Sequence, residues 1–397
     1  MANNSNKIIK FKNGLQINVI KNLGSELIGI VIKLHLKEQF RDGLPHLFEH
    51  LVINKIKKPS FLKINASTTP RFIAFKIIGI EEDIYDFLKE FVYNLINFEV
   101  TKRQLESEKL IVKQELLQYR TSQLEKFASE ARNITFDSKN EYQDTILGSS
   151  DDIDHITLEK VFNFARNNLA VDNISCLVAG NHVDDSILIL KQLDKLPTYK
   201  IKNNTKSSFT KNSILTKNSS CKGVIDKAKV ANVSIIFRLT NNKLSKSKIF
   251  SLSLIFSILT SGENSLISQL HKLDHHIYFL KVLPIYRGES IYVQIILSCL
   301  PEEAKNIVAN IKIIVTNLKE IPEKIQKDAF KNLYLQQNIL FDGIEHSVNS
   351  FSNMEYEQEE IISFEDIKYQ DIIEGYNNLI SQMLLSFNSI NTFIEYD

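Results

Sequence analysis

Apolar residues in the first part of the chain recur either with the period of two typical of strands or with the spacing of an amphipathic helix. Residues 7–40 predict two strands, the first of which contains an Asn-Gly turn signal, and residues 72–80 predict another strand. Helical spacing is found over 43–56, directly after residue 80, and again from Thr101 onward. The apolar run NISCLVAG then predicts a short buried strand. Strands and helices in runs, rather than in strict alternation, favour an α+β fold.

The same order of elements is repeated in the second part of the chain. Residues 200–220 are rich in Lys, Asn, Ser and Thr, which indicates an exposed linker. After it, VANVSIIFRL resembles the early strand pattern, and IYVQIILSCLPEEAKNIV resembles the strand and helix in FKIIGIEEDIYDFL. We therefore predict two related α+β domains, each a mixed, mostly antiparallel sheet flanked by helices. The predicted ranges are 1–200 for the N-terminal domain, 201–222 for the linker and 223–397 for the C-terminal domain.

The composition is that of an ordinary globular protein and excludes several classes of function. Among 397 residues, 48 basic and 47 acidic side chains leave a net charge of +1, so no overall field attracts nucleic acid or an anionic membrane. Three cysteines without a CxxC pair provide neither a disulfide framework nor a cysteine zinc site. The polar N-terminus lacks the features of a signal peptide, and no apolar stretch is long enough to span a bilayer. We expect no membrane association, and a location in the cytoplasm of a bacterium.

The stretch GLPHLFEHLV carries the main candidate chemistry. His46 and His50 are four residues apart and therefore share one face of a helix, with Glu49 beside them. Two neutral imidazoles and a carboxylate suit zinc. The alternative is an ordinary amphipathic helix with core histidines. Because a chance HxxEH in a chain of this composition is expected on the order of 0.01 times, the pattern favours a metal site.

A catalytic zinc site needs a third protein ligand and an open position for water. Glu108 and Glu115 are seven residues apart in ESEKLIVKQE, two turns apart on one helical face. One of them could bind the metal while the other orients a histidine. Either one could instead be a solvated charge on a surface helix. The spacing leaves these roles open.

Taken together, these motifs resemble the pitrilysin/insulinase family of zinc peptidases, which includes the mitochondrial processing peptidases. That family has GxxHxxEH, then an Asn-Ala pair, then ExxxxxxE on a helix, in the order found here. The matching residues are Gly43, His46, Glu49, His50, Asn65, Ala66, Glu108 and Glu115. NNLAVDNISCLVAG also resembles the end of the family's first domain, and the duplicated unit with a single linker matches as well.

The resemblance implies a Zn2+ site and a role for each matching residue. The implied zinc ligands are His46, His50 and Glu115. Glu49 would be the general base, and Glu108 the carboxylate that orients a ligand histidine. Asn65 and Ala66 would lie on a sheet edge that pairs with an extended peptide substrate, although an ordinary strand start is the alternative.

Two features depart from the family pattern. The segment between His50 and Glu115 is shorter than usual near KIKKPSFLKI, where the family has a helix. The family also has an arginine and a tyrosine that hold the substrate backbone. Tyr278 fits the tyrosine, but His271 stands in the place of the arginine.

Three histidines in the same region raise the possibility of a second metal site. His271, His275 and His276 have a spacing unlike any standard ligand set, which favours exposed polar residues instead. A second HxxEH is absent from the corresponding stretch after the linker, IFSLSLIFSIL.

The function that these observations favour is zinc-dependent endopeptidase activity on peptides or leader peptides. The alternative is a non-catalytic structural or targeting subunit of a processing-peptidase-like complex. An inactive subunit of the family has usually lost part of HxxEH, and this chain retains all of it.

The resemblance also implies a partner. Full-length pitrilysins have four such domains and close like a clamshell, so this two-domain chain corresponds to one half. We expect a heterodimer in which a related chain supplies the missing arginine. A homodimer in which Arg287 replaces that arginine is the alternative.

Overall fold

The computed structural model describes residues 6–21, 25–38, 40, 42–121, 123–136, 146–198, 219–225, 228–241, 246–262, 264–287, 290–353, 368–386 and 390–396. They form two compact units, each assembled from three separate parts of the sequence. Unit 1 is drawn from residues 1–118, 145–208 and 337–363. Unit 2 is drawn from residues 119–144, 209–336 and 364–397. Among the helices described, none is both long enough and apolar enough to cross a bilayer.

The strands and the helices are each numbered in chain order. The strands are β1 (Asn6–Lys10), β2 (Gln16–Lys21), β3 (Leu27–His35), β4 (Lys63–Thr68), β5 (Phe72–Ile80), β6 (Ile174–Gly180), β7 (Ser219–Lys222), β8 (Ala231–Thr240), β9 (Ile277–Arg287), β10 (Ser290–Cys299) and β11 (Asn391–Tyr396). The helices are α1 (Leu44–Ile53), α2 (Glu81–Ile96), α3 (Lys102–Thr121), α4 (Gln123–Thr135), α5 (Ser150–Asp154), α6 (Leu158–Asn168), α7 (Asp184–Leu190), α8 (Lys246–Thr260), α9 (Leu266–Lys272), α10 (Ala304–Thr316), α11 (Glu323–Asp342), α12 (Ile344–Asn353) and α13 (Tyr369–Ser386).

Unit 1 contains a six-stranded sheet in the order β1-β2-β6-β3-β5-β4. β2 and β6 pair in parallel, and the other neighbours are antiparallel. β6 is buried along its whole length, as its unbroken apolar run predicts for a central strand. β4 forms one edge of the described sheet.

Unit 2 repeats this topology with five described strands in the order β7-β11-β8-β10-β9. Here too the last strand, β11, pairs in parallel with the first strand, β7, and antiparallel with the next, β8. β9 lies at the edge, as β4 does in unit 1. The repeated strand order confirms the predicted fold class of two related, mostly antiparallel α+β domains.

Two local predictions differ from the structure. Residues 7–40 form three strands rather than two, because the turn at Asn13-Gly14 divides the first stretch into the antiparallel pair β1 and β2. The last residues of the predicted linker, Ser219–Lys222, form β7 because they find a parallel partner in β11. Residues 201–218 of the linker lie outside the described residues.

Each unit borrows a helix from the other half of the sequence. α12 packs in unit 1, where Ile344, Val348 and Phe351 are buried against side chains of β3, β5 and β6. α4 packs in unit 2, where the Phe127 ring stacks on Phe393 with centroids 5.2 Å apart. An apolar sheet face must be buried against another element, and in each unit a helix distant in sequence covers one such face. The domain ranges predicted from the sequence are contiguous, so they do not include this exchange of α4 and α12.

Candidate metal centre

Helix α1 begins at a glycine whose backbone conformation and surroundings exclude a side chain. Gly43 has φ +75°, and a Cβ atom there would lie 2.5 Å from the carbonyl oxygen of Leu147. The Asp42 carboxylate accepts a hydrogen bond from the Leu44 N–H at 3.2 Å, and Pro45 lies in the first turn, where its missing N–H is tolerated. These contacts define the start of the helix three residues before His46.

The apolar positions of α1 anchor the helix in the core of unit 1. Leu47, Phe48, Leu51 and Val52 are each at most 4% exposed, as the helical spacing predicts. The Phe48 ring lies 4.9 Å from that of Phe164. Because these residues hold the helix in place, the side chains of the HxxEH motif have a well-defined direction.

Helix α3 supplies the carboxylates opposite α1. Thr101 caps its N-terminus, because its hydroxyl accepts from the Gln104 N–H at 3.2 Å while the Gln104 side chain accepts from the Thr101 N–H at 2.9 Å. Leu105, Val112 and Leu116 are buried beneath the helix. This packing directs Glu108 and Glu115, two turns apart, toward the histidines.

Three side chains converge at one point between the two helices. His46 Nε2 and His50 Nε2 each lie 3.4 Å from Glu115 Oε2. The two imidazole rings are nearly perpendicular, with centroids 4.7 Å apart. Within the described part of the chain, these residues form the one group of three potential ligands that could hold a metal ion.

Glu108 contacts the other nitrogen of His50. Its Oε2 atom lies 3.3 Å from His50 Nδ1 and accepts a second hydrogen bond, of 2.9 Å, from the Asn54 amide. A carboxylate on Nδ1 holds the Nδ1 proton, so Nε2 is left as the lone-pair nitrogen that faces Glu115. The structure therefore gives the two glutamates different positions, a distinction that the sequence spacing left open.

Glu49 is a buried carboxylate with a hydroxyl partner. It is 6% exposed, and Thr68 on β4 donates a hydrogen bond of 2.5 Å to its Oε2 atom. Burial raises the pKa of Glu49, and the Thr68 hydrogen bond opposes that shift. The environment thus favours proton uptake by this carboxylate, as a general base requires.

His46 is held neutral by its surroundings. Burial, reinforced by the nearby His50, lowers the pKa of His46 to about 4. Its Nδ1 atom is buried and has no hydrogen-bond partner among the described residues. A neutral imidazole, with its Nε2 atom close to two other potential metal ligands, is the form that binds a metal ion.

The geometry of this group fits zinc. A tetrahedral zinc with bonds of about 2.0–2.1 Å separates its ligand atoms by about 3.3–3.4 Å. Both His–Glu115 separations are 3.4 Å. Two imidazole nitrogens and one carboxylate oxygen match the three protein ligands of a catalytic zinc site, and the Glu115 side chain is 45% exposed, so solvent reaches this side of the group.

Asn65 and Ala66 lie on the edge strand β4, beside the same site. Asn65 is exposed and Ala66 is partly exposed. β4 pairs with β5 through Asn65↔Lys76 and Ala66↔Phe75, and its other side has no partner strand in the described sheet. Thr68, three residues after Asn65, connects this strand to Glu49.

The other predicted substrate residues lie in unit 2. His271 is exposed at the end of α9, and Tyr278 is 61% exposed on the edge strand β9. Arg287 is the last residue of β9. Their part in substrate binding stays a prediction.

His276 is hydrogen-bonded to a carboxylate, and His275 to an amide. His276 donates its backbone N–H to Glu303 Oε2 at 2.8 Å, and its Nδ1 atom lies 2.9 Å from Glu303 Oε1. His275 Nε2 lies 2.8 Å from the Asn310 amide. The described residues contain no second group of three metal-binding side chains.

Thr68 and Asn54 are the site residues that sequence reasoning did not identify. Asn54 follows His50 by four residues, so the same helical periodicity that paired the histidines would have found it. Thr68 is on a strand, and only the packing of β4 against α1 brings it to Glu49. Its position shortly after the Asn-Ala pair carries no such signal.

Comparison by sequence and by structure gives different results. No protein-family model matches the sequence, and no curated protein matches it either. Similar solved structures include a protease from Helicobacter pylori, with a TM-score of 0.75 and 15% identity over 99% of this chain and 100% of that chain. They also include an M16-like peptidase from Alicyclobacillus acidocaldarius, with a TM-score of 0.74 and 14% identity over 100% of this chain and 99% of that one.

Two further structures bear on activity and length. An inactive domain of peptidase M16 from Pseudomonas fluorescens matches with a TM-score of 0.73 and 12% identity over 98% of both chains. The periplasmic protease PqqL from Escherichia coli matches with a TM-score of 0.68 and 14% identity over the whole of this chain but 45% of its own length. The chain therefore has the two-sheet α+β fold that these peptidases share with an inactive domain of the same type.

Proposed function

We propose that the chain is a zinc-dependent endopeptidase in which His46, His50 and Glu115 hold Zn2+. The observation that carries this proposal is the convergence of both Nε2 atoms on Glu115 Oε2 at 3.4 Å. The peptidase fold and the complete HxxEH motif support it.

Bound zinc would supply a Lewis acid for water and for the scissile carbonyl. Glu49 is the general base: with Oε2 held by Thr68, its Oε1 atom accepts a proton from water as the water oxygen attacks the carbonyl carbon. Glu49 then delivers that proton to the amine nitrogen as the C–N bond breaks. Glu108 keeps the Nδ1 proton of His50 in place throughout.

The substrate class follows from the strand beside the site. An extended peptide that pairs with the free side of β4 would lie next to Glu49, because Thr68 connects that strand to the base. A partner chain of the same fold would complete the chamber around the peptide, with a heterodimer favoured over a homodimer. The cytoplasm of a bacterium is the location we propose for this activity.

A non-catalytic subunit is the second candidate, because a structure of similar fold is described as an inactive domain. Zinc binding separates the two functions. We expect elemental analysis to find about one zinc per chain in the wild type and none in His46→Ala. The matched control is His155→Ala, whose histidine is exposed and lies 2.6 Å from the carbonyl oxygen of Asp151, and it should retain zinc. A wild-type chain purified without zinc, and unable to take it up, would support the scaffold.

A further inference from the structure

We propose that Asn54 is a positioning residue for the zinc ligand His50 and acts through Glu108. This inference rests on the proposed zinc site and extends it by one layer. The observation behind it is a row of polar contacts between α1 and α3 that continues past the HxxEH motif. All of these contacts are made between residues of this chain.

The row has the periodicity of a helix. His46, His50 and Asn54 are spaced four residues apart, so they lie one above another on one face of α1. Opposite them, Glu115 contacts both histidines, and Glu108 contacts His50 and Asn54. Asn54 thus occupies the next position in the same row, at the C-cap of the helix.

The orientation of the Asn54 amide is determined from both sides. Its Nδ2 atom donates to Glu108 Oε2 at 2.9 Å, and its Oδ1 atom accepts from Lys58 Nζ at 2.9 Å. The Lys58 ammonium can only donate, so it requires the amide oxygen to face it and the amide nitrogen to face Glu108. The amide therefore reaches Glu108 as a donor.

A donor at this position has a consequence for His50. Glu108 Oε2 receives the Asn54 amide and faces His50 Nδ1 at the same time, and the Glu108 side chain is 12% exposed. Two donors on one oxygen restrict the rotation of the carboxylate, which in turn orients the imidazole. Without the amide, Glu108 would be free to turn toward solvent, and His50 would lose the group that selects its tautomer.

The test measures zinc affinity rather than turnover, by competition with a chromophoric chelator. Asn54→Ala should raise the zinc Kd by about 10-fold, the lower end of the range for groups that orient metal ligands. Asn54→Asp keeps an acceptor for Lys58 but removes the donor, and it should raise the Kd at least as much.

Asn97 provides a matched control within unit 1. It is the C-cap residue of α2, it is exposed, and its amide donates at 2.9 Å to the carbonyl oxygen of Tyr93, which is not one of the residues in the row. Asn97→Ala should therefore remove a comparable cap without changing the zinc Kd. A similar loss of zinc affinity in both alanine variants would overturn the proposal.

A double-mutant cycle tests the route through Glu108. In a Glu108→Ala background, Asn54→Ala should change the zinc Kd by less than about 2-fold, because the group on which Asn54 acts is gone. A full additional loss in that background would overturn the proposed route. Unchanged zinc affinity in the Asn54 variants of a zinc-binding protein would overturn the inference and leave the zinc site standing. Failure of the wild type to bind zinc would overturn both.

Discussion

At the scale of single residues, three glutamates around one pair of histidines have different surroundings. Glu49 is buried against the Thr68 hydroxyl, and Glu108 faces Nδ1 of His50. Glu115 is 45% exposed and faces Nε2 of both histidines. These differences, rather than residue type, give each carboxylate a separate proposed role.

Glu49→Gln is expected to retain zinc and lose hydrolysis. Both histidines and Glu115 remain, so zinc content by elemental analysis should be unchanged. The amide cannot take a proton from water, so kcat for a peptide substrate should fall by about 10²–10⁴-fold, the usual value of general acid–base catalysis. Near-wild-type turnover by the zinc-loaded variant would rule out Glu49 as the base.

Glu115→Gln and Glu108→Gln should separate the two glutamates of α3. Glu115→Gln removes the carboxylate that both Nε2 atoms face, so it should weaken zinc binding strongly. Glu108→Gln should lower zinc affinity or activity by about 10–100-fold, as expected for a group that orients a ligand. The measurement is zinc content after dialysis, and retention by Glu115→Gln with loss by Glu108→Gln would reverse the roles.

At the scale of elements, the edge strand β4 and helix α1 are connected by the hydrogen bond from Thr68 to Glu49. The strand proposed to bind substrate therefore also holds the proposed base. Such a connection makes the position of the base depend on a strand whose other side is open.

Thr68→Val keeps the shape of the side chain and removes the hydroxyl. A hydrogen bond to a charged group is worth about 1.5–3 kcal/mol, so kcat should fall by about 10-fold or more while zinc content stays unchanged. Thr68→Ser retains the hydroxyl and should recover most of the activity. Equal losses in the Val and Ser variants would show that the effect comes from packing.

The contact between α12 and β3 leads to a prediction about stability. A Cβ atom on Gly29 would lie 2.5 Å from a methyl group of Val348 and 2.6 Å from one of Ile344. Gly29→Ala should therefore displace the helix and lower the free energy of unfolding by about 1–3 kcal/mol, as overpacking does, measured by urea denaturation. Adding Val348→Ala should recover part of the loss. A stability unchanged by Gly29→Ala would show that α12 adjusts without strain.

At the scale of the whole molecule, the chain is a duplicated unit, and the described residues contain one candidate metal centre, in unit 1. The corresponding edge strand of unit 2, β9, carries Tyr278, and His271 precedes it in sequence. A histidine lacks the bidentate fork and permanent charge with which arginine holds a carbonyl-rich backbone. The histidine in place of the expected arginine is the reason for proposing a second, related chain.

The isolated chain is expected to bind zinc but to hydrolyse peptides very slowly. Hydrolysis needs a substrate held in register and shielded from bulk water, which a closing partner would provide. Size-exclusion chromatography with a peptide-cleavage assay should show activity restored by a related chain that lacks HxxEH. Robust activity from a symmetric dimer of this chain alone would favour the homodimer, in which Arg287→Ala should then abolish cleavage.

The sequence by itself determined the candidate donors and the repeated α+β pattern. Both are local: the spacing of His46 and His50, or of Glu108 and Glu115, follows from the helical period, and the strand runs follow from alternation. The tertiary structure decided which glutamate faces which nitrogen, because that depends on how α1 and α3 pack across 58 residues of sequence. It also brought Thr68 to Glu49 and placed α12 and α4 on the sheets of opposite halves. Such contacts depend on which apolar faces of the sheets and helices pack together, and the spacing of residues within one element does not determine that.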